Sequence, residues 1–147
     1  MTVLEKLEAS LDEMYEFSNK MYAAMDKSGK DRRLAELITE ASERDEIFLA
    51  EQLAKARASM DQTYALIEYL HRPVLYDGRL KRARNGYYSL CGNPIKRRVG
   101  VEYVKDDRWH TGLLQIENDE YEIVDESLKK VDVTLENLRV RCREKLE

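Results

Sequence analysis

The segment Glu68-Tyr69-Leu70-His71-Arg72-Pro73-Val74-Leu75-Tyr76-Asp77-Gly78 decides the fold. Before it, apolar residues recur in steps of three and four. After it, they fall in short runs of Val, Ile, Leu and Tyr divided by turn residues. The first pattern puts apolar side chains on one face of a helix, the second on the faces of antiparallel strands. Pro73 lacks a backbone donor and its ring clashes with a continuing helix, so the period changes there. The chain therefore reads as α+β. A long antiparallel helical hairpin, coiled-coil-like, occupies residues 1–71, and a small antiparallel β-barrel or curled sheet of five or six strands occupies residues 73–147.

Upstream, Leu4, Leu7, Leu11, Met14, Ser18, Met21 and Met25 form a coiled-coil seam with one polar interruption, which predicts a helix over about residues 3–27. Gly29 is the expected helix stop and Asp31 the expected N-cap of the next helix. That second helix is predicted to run unbroken over residues 32–70, because the span contains no Gly or Pro and is rich in strong helix formers. Its apolar face shifts phase by about one residue near Asp45. At about 1.5 Å per residue the two helices would measure roughly 36 and 60 Å, so they cannot match end to end. A short loop would lay the first helix along the second only as far as Leu49 and Leu53. The seam Leu49, Leu53, Ala56, Met60 and Ile67 is therefore the expected interface of a homo-oligomer, a dimer first, because exposed apolar seams mark association. The Met and Tyr residues of the hairpin are expected to fill core at helical spacing.

Downstream, strands are predicted at Val74-Leu75-Tyr76, Tyr87 to Cys91, Val99 to Val104, Trp109 to Glu117, Tyr121 to Val124 and Leu138 to Cys142. Turns are predicted at Asp77-Gly78, Asn85-Gly86, Cys91 to Pro94, Lys105 to Asp107 and Asn118-Asp119. The inward set is Leu75, Tyr88, Leu90, Ile95, Val101, Val104, Trp109, Leu114, Ile116, Tyr121, Ile123 and Leu138, with Trp109 at its centre. A competing reading puts Trp109, Tyr87 and Tyr103 on an aromatic binding face.

The stretch from Val74 to Asp125 carries a Leu-Tyr-Asp-Gly opening, an Asn-Gly-Tyr-Tyr-Ser-Leu strand and a Cys-Gly-Asn-Pro-Ile segment. A Trp-His-Thr-Gly strand start and an Asn-Asp-Glu-Tyr-Glu-Ile-Val hairpin follow. In these it resembles a family of short uncharacterised domains carried on phages, plasmids and conjugative elements of Firmicutes. The resemblance implies a small SH3-like barrel and a mobile-element setting. It covers about a third of the chain and implies no catalytic residues.

At 147 residues, 43% apolar and 37% charged, the composition is that of a folded and highly charged protein. No stretch is long and apolar enough to span a bilayer, and Glu5 and Lys6 fall where a signal peptide needs apolar residues. A cytoplasmic protein without membrane contact is expected. Cys91 and Cys142 lack metal-ligand spacing, as do His71 and His110, so two free thiols and no metal are expected. Neither a nucleophile motif, a phosphate-binding loop nor a dinucleotide fingerprint occurs, which points away from an enzyme and from a cofactor. The acidic runs Asp12-Glu13, Glu43 to Glu46 and Glu117 to Glu122 read as solvated surface.

Charge is segregated along the chain. Residues 1–70 carry 9 Lys and Arg against 15 Asp and Glu, residues 71–110 carry 10 against 4, and residues 111–147 carry 6 against 10. Such asymmetry bears on association. The basic segment Arg79, Lys81, Arg82, Arg84, Lys96, Arg97 and Arg98, interleaved with Tyr87 and Tyr88, suits a phosphate backbone with stacked bases; its plainer reading is a rim docking on the acidic helices. The first expected function is a non-catalytic interaction protein that oligomerises through its helices. It would bind another protein, in the mobile-element setting a nucleic-acid-processing host defence factor such as a CRISPR effector. The second is a nucleic-acid-binding accessory protein using the basic segment, and the third a sponge for a nucleotide-like signal.

Overall fold

The computed structural model describes residues 1–28 and 30–146, the side chains of residues 25–28, 30 and 31 excepted. Two compact units result, Met1–Arg72 and Pro73–Glu147.

The first unit holds three helices: α1 (Val3–Ser28), α2 (Lys30–Glu40) and α3 (Arg44–His71). Helix α1 starts on a reciprocal cap. The Glu5 amide donates to Thr2 Oγ1 at 3.1 Å, and the Thr2 amide donates to Glu5 Oε2 at 2.7 Å, so two orphan donors are satisfied at once. The expected stop at Gly29 and the side chain of the expected cap Asp31 lie outside the described residues.

The second helix is not continuous. It breaks at residues 41–43, where Glu43 takes an extended backbone (φ −82°, ψ 156°) and its amide donates to Glu46 Oε1 at 3.2 Å. A capped restart needs no Gly or Pro, and it lies at the phase shift near Asp45. Because α2 is a separate short helix, α1 does not lie where one long helix would have put it. Asp12 meets His71 at 3.3 Å, Tyr15 stacks on His71 with ring centres 3.7 Å apart, and the Tyr22 hydroxyl donates to Asp61 at 2.7 Å. Helix α1 therefore runs antiparallel along the last half of α3, the stretch expected to be left bare. Residues 3–11 of α1 continue past the end of α3 by about 13 Å.

The second unit is built of antiparallel strands. The larger sheet has the order β1-β8-β5-β6-β7, where β1 is Tyr76–Arg79, β5 Val99–Lys105, β6 Arg108–Glu117, β7 Glu120–Val124 and β8 Arg139–Cys142. The smaller sheet orders β2 (Lys81–Arg82), β3 (Tyr88–Leu90) and β4 (Asn93–Pro94). No closed barrel forms among the described residues. Of the two expected forms, a barrel or a curled sheet, the barrel is corrected to two open sheets, and the chain passes from one to the other at Leu80. The Leu80 amide donates to Leu138 O, and Leu80 O accepts from the Asn137 amide, both at 2.9 Å, so β2 departs to pair with β3.

Three two-residue hairpin loops have both residues at positive φ: Cys91-Gly92, Asp106-Asp107 and Asn118-Asp119. That backbone matches the twist of the flanking strands, and Asn, Asp and Gly tolerate it. Asp77-Gly78, in contrast, is not a turn. Both residues sit within β1, opposite Arg141 and Val140. Gly78 serves close approach, since a Cβ there would lie 3.3 Å from Cys91 Sγ.

Both sheets contribute to one core, with Leu80, Leu90, Ile95, Val99, Val101, Leu114, Ile123, Val140 and Cys142 almost fully enclosed. Tyr121 donates to Ile95 O at 2.6 Å and meets Tyr88 edge-on at 5.1 Å, tying the sheets together. Trp109 is not the centre of this core. It is 38% exposed on the opposite face of the large sheet, and Leu75 is also exposed. Both cysteines are free thiols, Cys91 exposed and Cys142 buried, and burial pushes the Cys142 thiol up.

Candidate functional surfaces

The basic segment is split by the fold. Arg79 donates to Asn137 O at 2.9 Å, Lys81 bonds Asn137 Oδ1, and Arg97 bonds the carbonyls of Arg98 and Lys145 while meeting Glu144 at 3.6 Å. These three cations fasten the chain to itself. Arg84 and Arg98 are exposed and carry no ion pair among the described residues. Arg82 lies over the Tyr88 ring at 5.7 Å, and Lys96 over Tyr87 at 5.7 Å. The tip that carries Arg84 is fixed by the Gly86 amide on Ala83 O (3.0 Å) and the Tyr87 amide on Asn85 Oδ1 (3.1 Å). Of the seven basic residues, Arg82, Arg84, Lys96 and Arg98 are exposed and their side chains make no hydrogen bond or ion pair among the described residues. Of the three aromatics proposed for a binding face, Tyr87 and Trp109 are exposed and Tyr103 is buried.

A second charged surface lies on the outer face of the large sheet. Along β8 and just beyond it, Arg139, Arg141 and Arg143 alternate with the buried Val140 and Cys142. The Glu102 carboxylate, on β5, is buried between two of them. It accepts from Arg141 Nε at 2.8 Å and from Arg143 Nε at 2.7 Å, and the Arg141 Nη2 lies at 2.7 Å. Arg139 forks onto Asp77 at 2.9 and 3.1 Å, and this partner holds its guanidinium above even the usual arginine range. The Trp109 ring lies beneath Arg141 at 4.1 Å and Arg139 at 5.8 Å. Sequence reasoning missed this array, although Arg-Val-Arg-Cys-Arg at 139–143 shows the period of a strand with one charged face.

The helical unit presents apolar surface. Between α1 and α3 lies a groove of about 660 Å³ lined by Met14, Phe17, Met21, Met60, Thr63 and Ile67. A smaller one of about 340 Å³ between α2 and α3 takes in Leu34, Leu37, Ile38, Leu49 and Leu53. The expected oligomer seam is thus distributed. Ile67 is buried against α1, Met60 is half-buried on the first groove, Leu49 and Leu53 line the second, and Ala56 is exposed.

Among the described residues no three His, Cys, Asp or Glu side chains gather as a metal site, and no helix is long and apolar enough to cross a membrane. Compared with family models, with curated proteins and with solved structures, the chain has no match.

Proposed function

We propose that this protein works by binding, that its helical unit joins it to a second copy of the same chain, and that its β-unit carries the surface for a further macromolecule. The observation behind this reading is the near absence of a core in the helical unit. Among its described residues only Ser18 and Ile67 are buried. Ordering the backbone costs roughly 1–2 kcal/mol per residue, and a buried Leu or Phe returns only about 1.5–3 kcal/mol. Two buried residues do not offset the ordering of three helices.

The occupant follows from the pattern of the bare surface. Val3, Leu4 and Leu7 are more than 60% exposed on the part of α1 that outruns α3, and Phe17 is 70% exposed beside the larger groove. Leu4, Leu7 and Met14 keep a heptad spacing, which suits another helix of the same kind. A second α1 would supply apolar knobs and an apolar groove together, as two-fold pairing requires. A host protein, a defence effector included, is the partner that the resemblance read in residues 74–125 would imply for the β-unit.

Light scattering of the full chain should give a dimer or larger mass that a short single-stranded DNA does not alter. Phe17→Glu should move the mass to monomer and lower the helical circular dichroism, while Trp109 fluorescence of the β-unit stays unchanged. A monomeric wild type with full helix content would overturn the assembly reading. A second reading has a specific observation behind it: Arg84 and Arg98 are exposed without an ion pair among the described residues, and Arg82 and Lys96 lie over the Tyr88 and Tyr87 rings. If DNA binds in a salt-dependent manner, the double variant Arg82→Glu, Arg84→Glu should lose that binding, and retention would remove this surface from consideration.

A further inference from the structure

A cleft of about 630 Å³ opens within the β-unit between the β5–β6 hairpin and the segment from Asp125 to Asp132. Its wall is aromatic. The Tyr103 ring lies close to Gly112, where a Cβ would come within 3.1 Å of its Cε1, and His110 stacks on it with centres 5.5 Å apart and planes 23° apart. His110 Nε2 faces Lys105 O at 3.0 Å. A carbonyl only accepts, so that nitrogen is the donor.

Tyr103 is 96% removed from solvent, by a relative exposure of 4%, yet its hydroxyl has no hydrogen-bond partner among the described residues and the residue lines the cleft. Among the described residues no buried side-chain oxygen or nitrogen lacks a hydrogen-bond partner, so this hydroxyl is the part of the residue that reaches the water of the cleft, where a ligand can meet it. Asp125 stands on the opposite wall. Its Oδ1 accepts from the Ser127 and Lys129 amides at 2.8 and 3.0 Å, which orients the carboxylate and leaves Oδ2 without a bond in the turn. Burial first, and the Asp125 charge second, raise the Tyr103 phenol above its ordinary value, so it stays protonated near neutral pH. The lining holds four acids, Asp106, Asp125, Glu126 and Asp132, against the cations Lys105 and Lys130.

The geometry points to this cleft as a binding site for a compact organic cation, an alkylammonium or guanidinium group. Its N–H groups would donate to Tyr103 Oη and Asp125 Oδ2, and its charge would lie against the paired rings. An anion would meet an excess of carboxylates. The site is separate from both charged surfaces described above and goes beyond the assembly reading, since it lies within one β-unit. Two sources supply this chemistry: a free polyamine-like molecule, or a lysine or arginine side chain of another protein.

The test is calorimetric titration of the full chain with agmatine and with a short capped peptide containing one arginine, with inorganic phosphate as the control. Binding of agmatine as tight as the peptide assigns the site to a free cation. Binding of the peptide alone assigns it to a protein side chain. In either case Tyr103→Phe should weaken binding about tenfold, the loss of one hydrogen bond to a charged group, without lowering the thermal midpoint. Asp125→Asn, which keeps an acceptor for the two amides, should weaken it further. The inference is overturned if neither cation binds, if phosphate binds in their place, or if Tyr103→Phe binds as the wild type does.

Discussion

Glu102→Ala should cost the β-unit about 3 kcal/mol of stability, the scale of losing one member of a buried ion pair. The Glu102 side chain is 5% accessible, and Arg143 beside it is 11% accessible. Removing the carboxylate leaves two guanidinium groups side by side on one face of the sheet with their principal acceptor gone. Arg141 is 26% accessible and can turn toward water, which keeps the loss at the lower end of the range. Urea denaturation followed by Trp109 emission measures it directly, because the ring lies 4.1 Å from Arg141. A loss under about 1 kcal/mol would show that the array behaves as an exposed ion pair. Glu102→Gln should lose less, since the amide oxygen still accepts while the charge is gone. The companion triple variant, Glu102→Leu with Arg141→Met and Arg143→Met, should regain most of the stability, since the buried carboxylate and the two guanidinium groups that share it are removed together.

Gly112→Ala should be comparably damaging for a steric reason. A Cβ at this point of β6 would lie 2.8 Å from Ile123 Cγ2, 3.0 Å from Val124 O and 3.1 Å from Tyr103 Cε1. One of these neighbours is backbone of the adjoining strand and another is a packed ring, so none yields at low cost. Overpacking of this kind typically costs about 1–3 kcal/mol, and three close contacts place Gly112 at the top of that range. Equilibrium unfolding of the full chain should show the loss, and a change within about 0.5 kcal/mol would mean that Tyr103 swings aside. In that event the cleft beside His110 would change shape, and cation binding would report it.

What the sequence discloses about the fold is what periodicity and turn chemistry encode locally. The seam from Leu4 to Met21 announces α1, and Asp106-Asp107 and Asn118-Asp119 announce their hairpins because few residues accept positive φ twice in succession. The break before Arg44 is visible only as a slipped apolar phase, since a Glu43 to Glu46 cap leaves no Gly or Pro behind it. Trp109 is misread for a different reason. Size and hydrophobicity send a lone tryptophan inward, but the arginines that cover it come from β8, some thirty residues later, and no local pattern links them. The basic segment shows the same limit. Its composition suggests one surface, whereas Asn137, Glu144 and the Lys145 carbonyl, all distant in sequence, claim three of its cations. Tyr103 and Asp125 are ordinary residues on paper, and only their meeting across a cleft gives them a chemistry in common.

Strand β8 lies between β1 and β5 in the sheet although it is the latest strand in the chain. The β5-β6-β7 meander can zip through its own tight turns as soon as it is made, but β1 has no neighbour in the large sheet until residues 139–142 exist. At synthesis rates of roughly 5–20 residues per second, the sixty intervening residues keep β1 waiting for about 3–12 s. For that interval the newborn chain carries an unzipped strand edge and an uncovered Leu80. These are features that chaperones and proteases sample, so the time spent on the ribosome is a hazard set by the order of the strands.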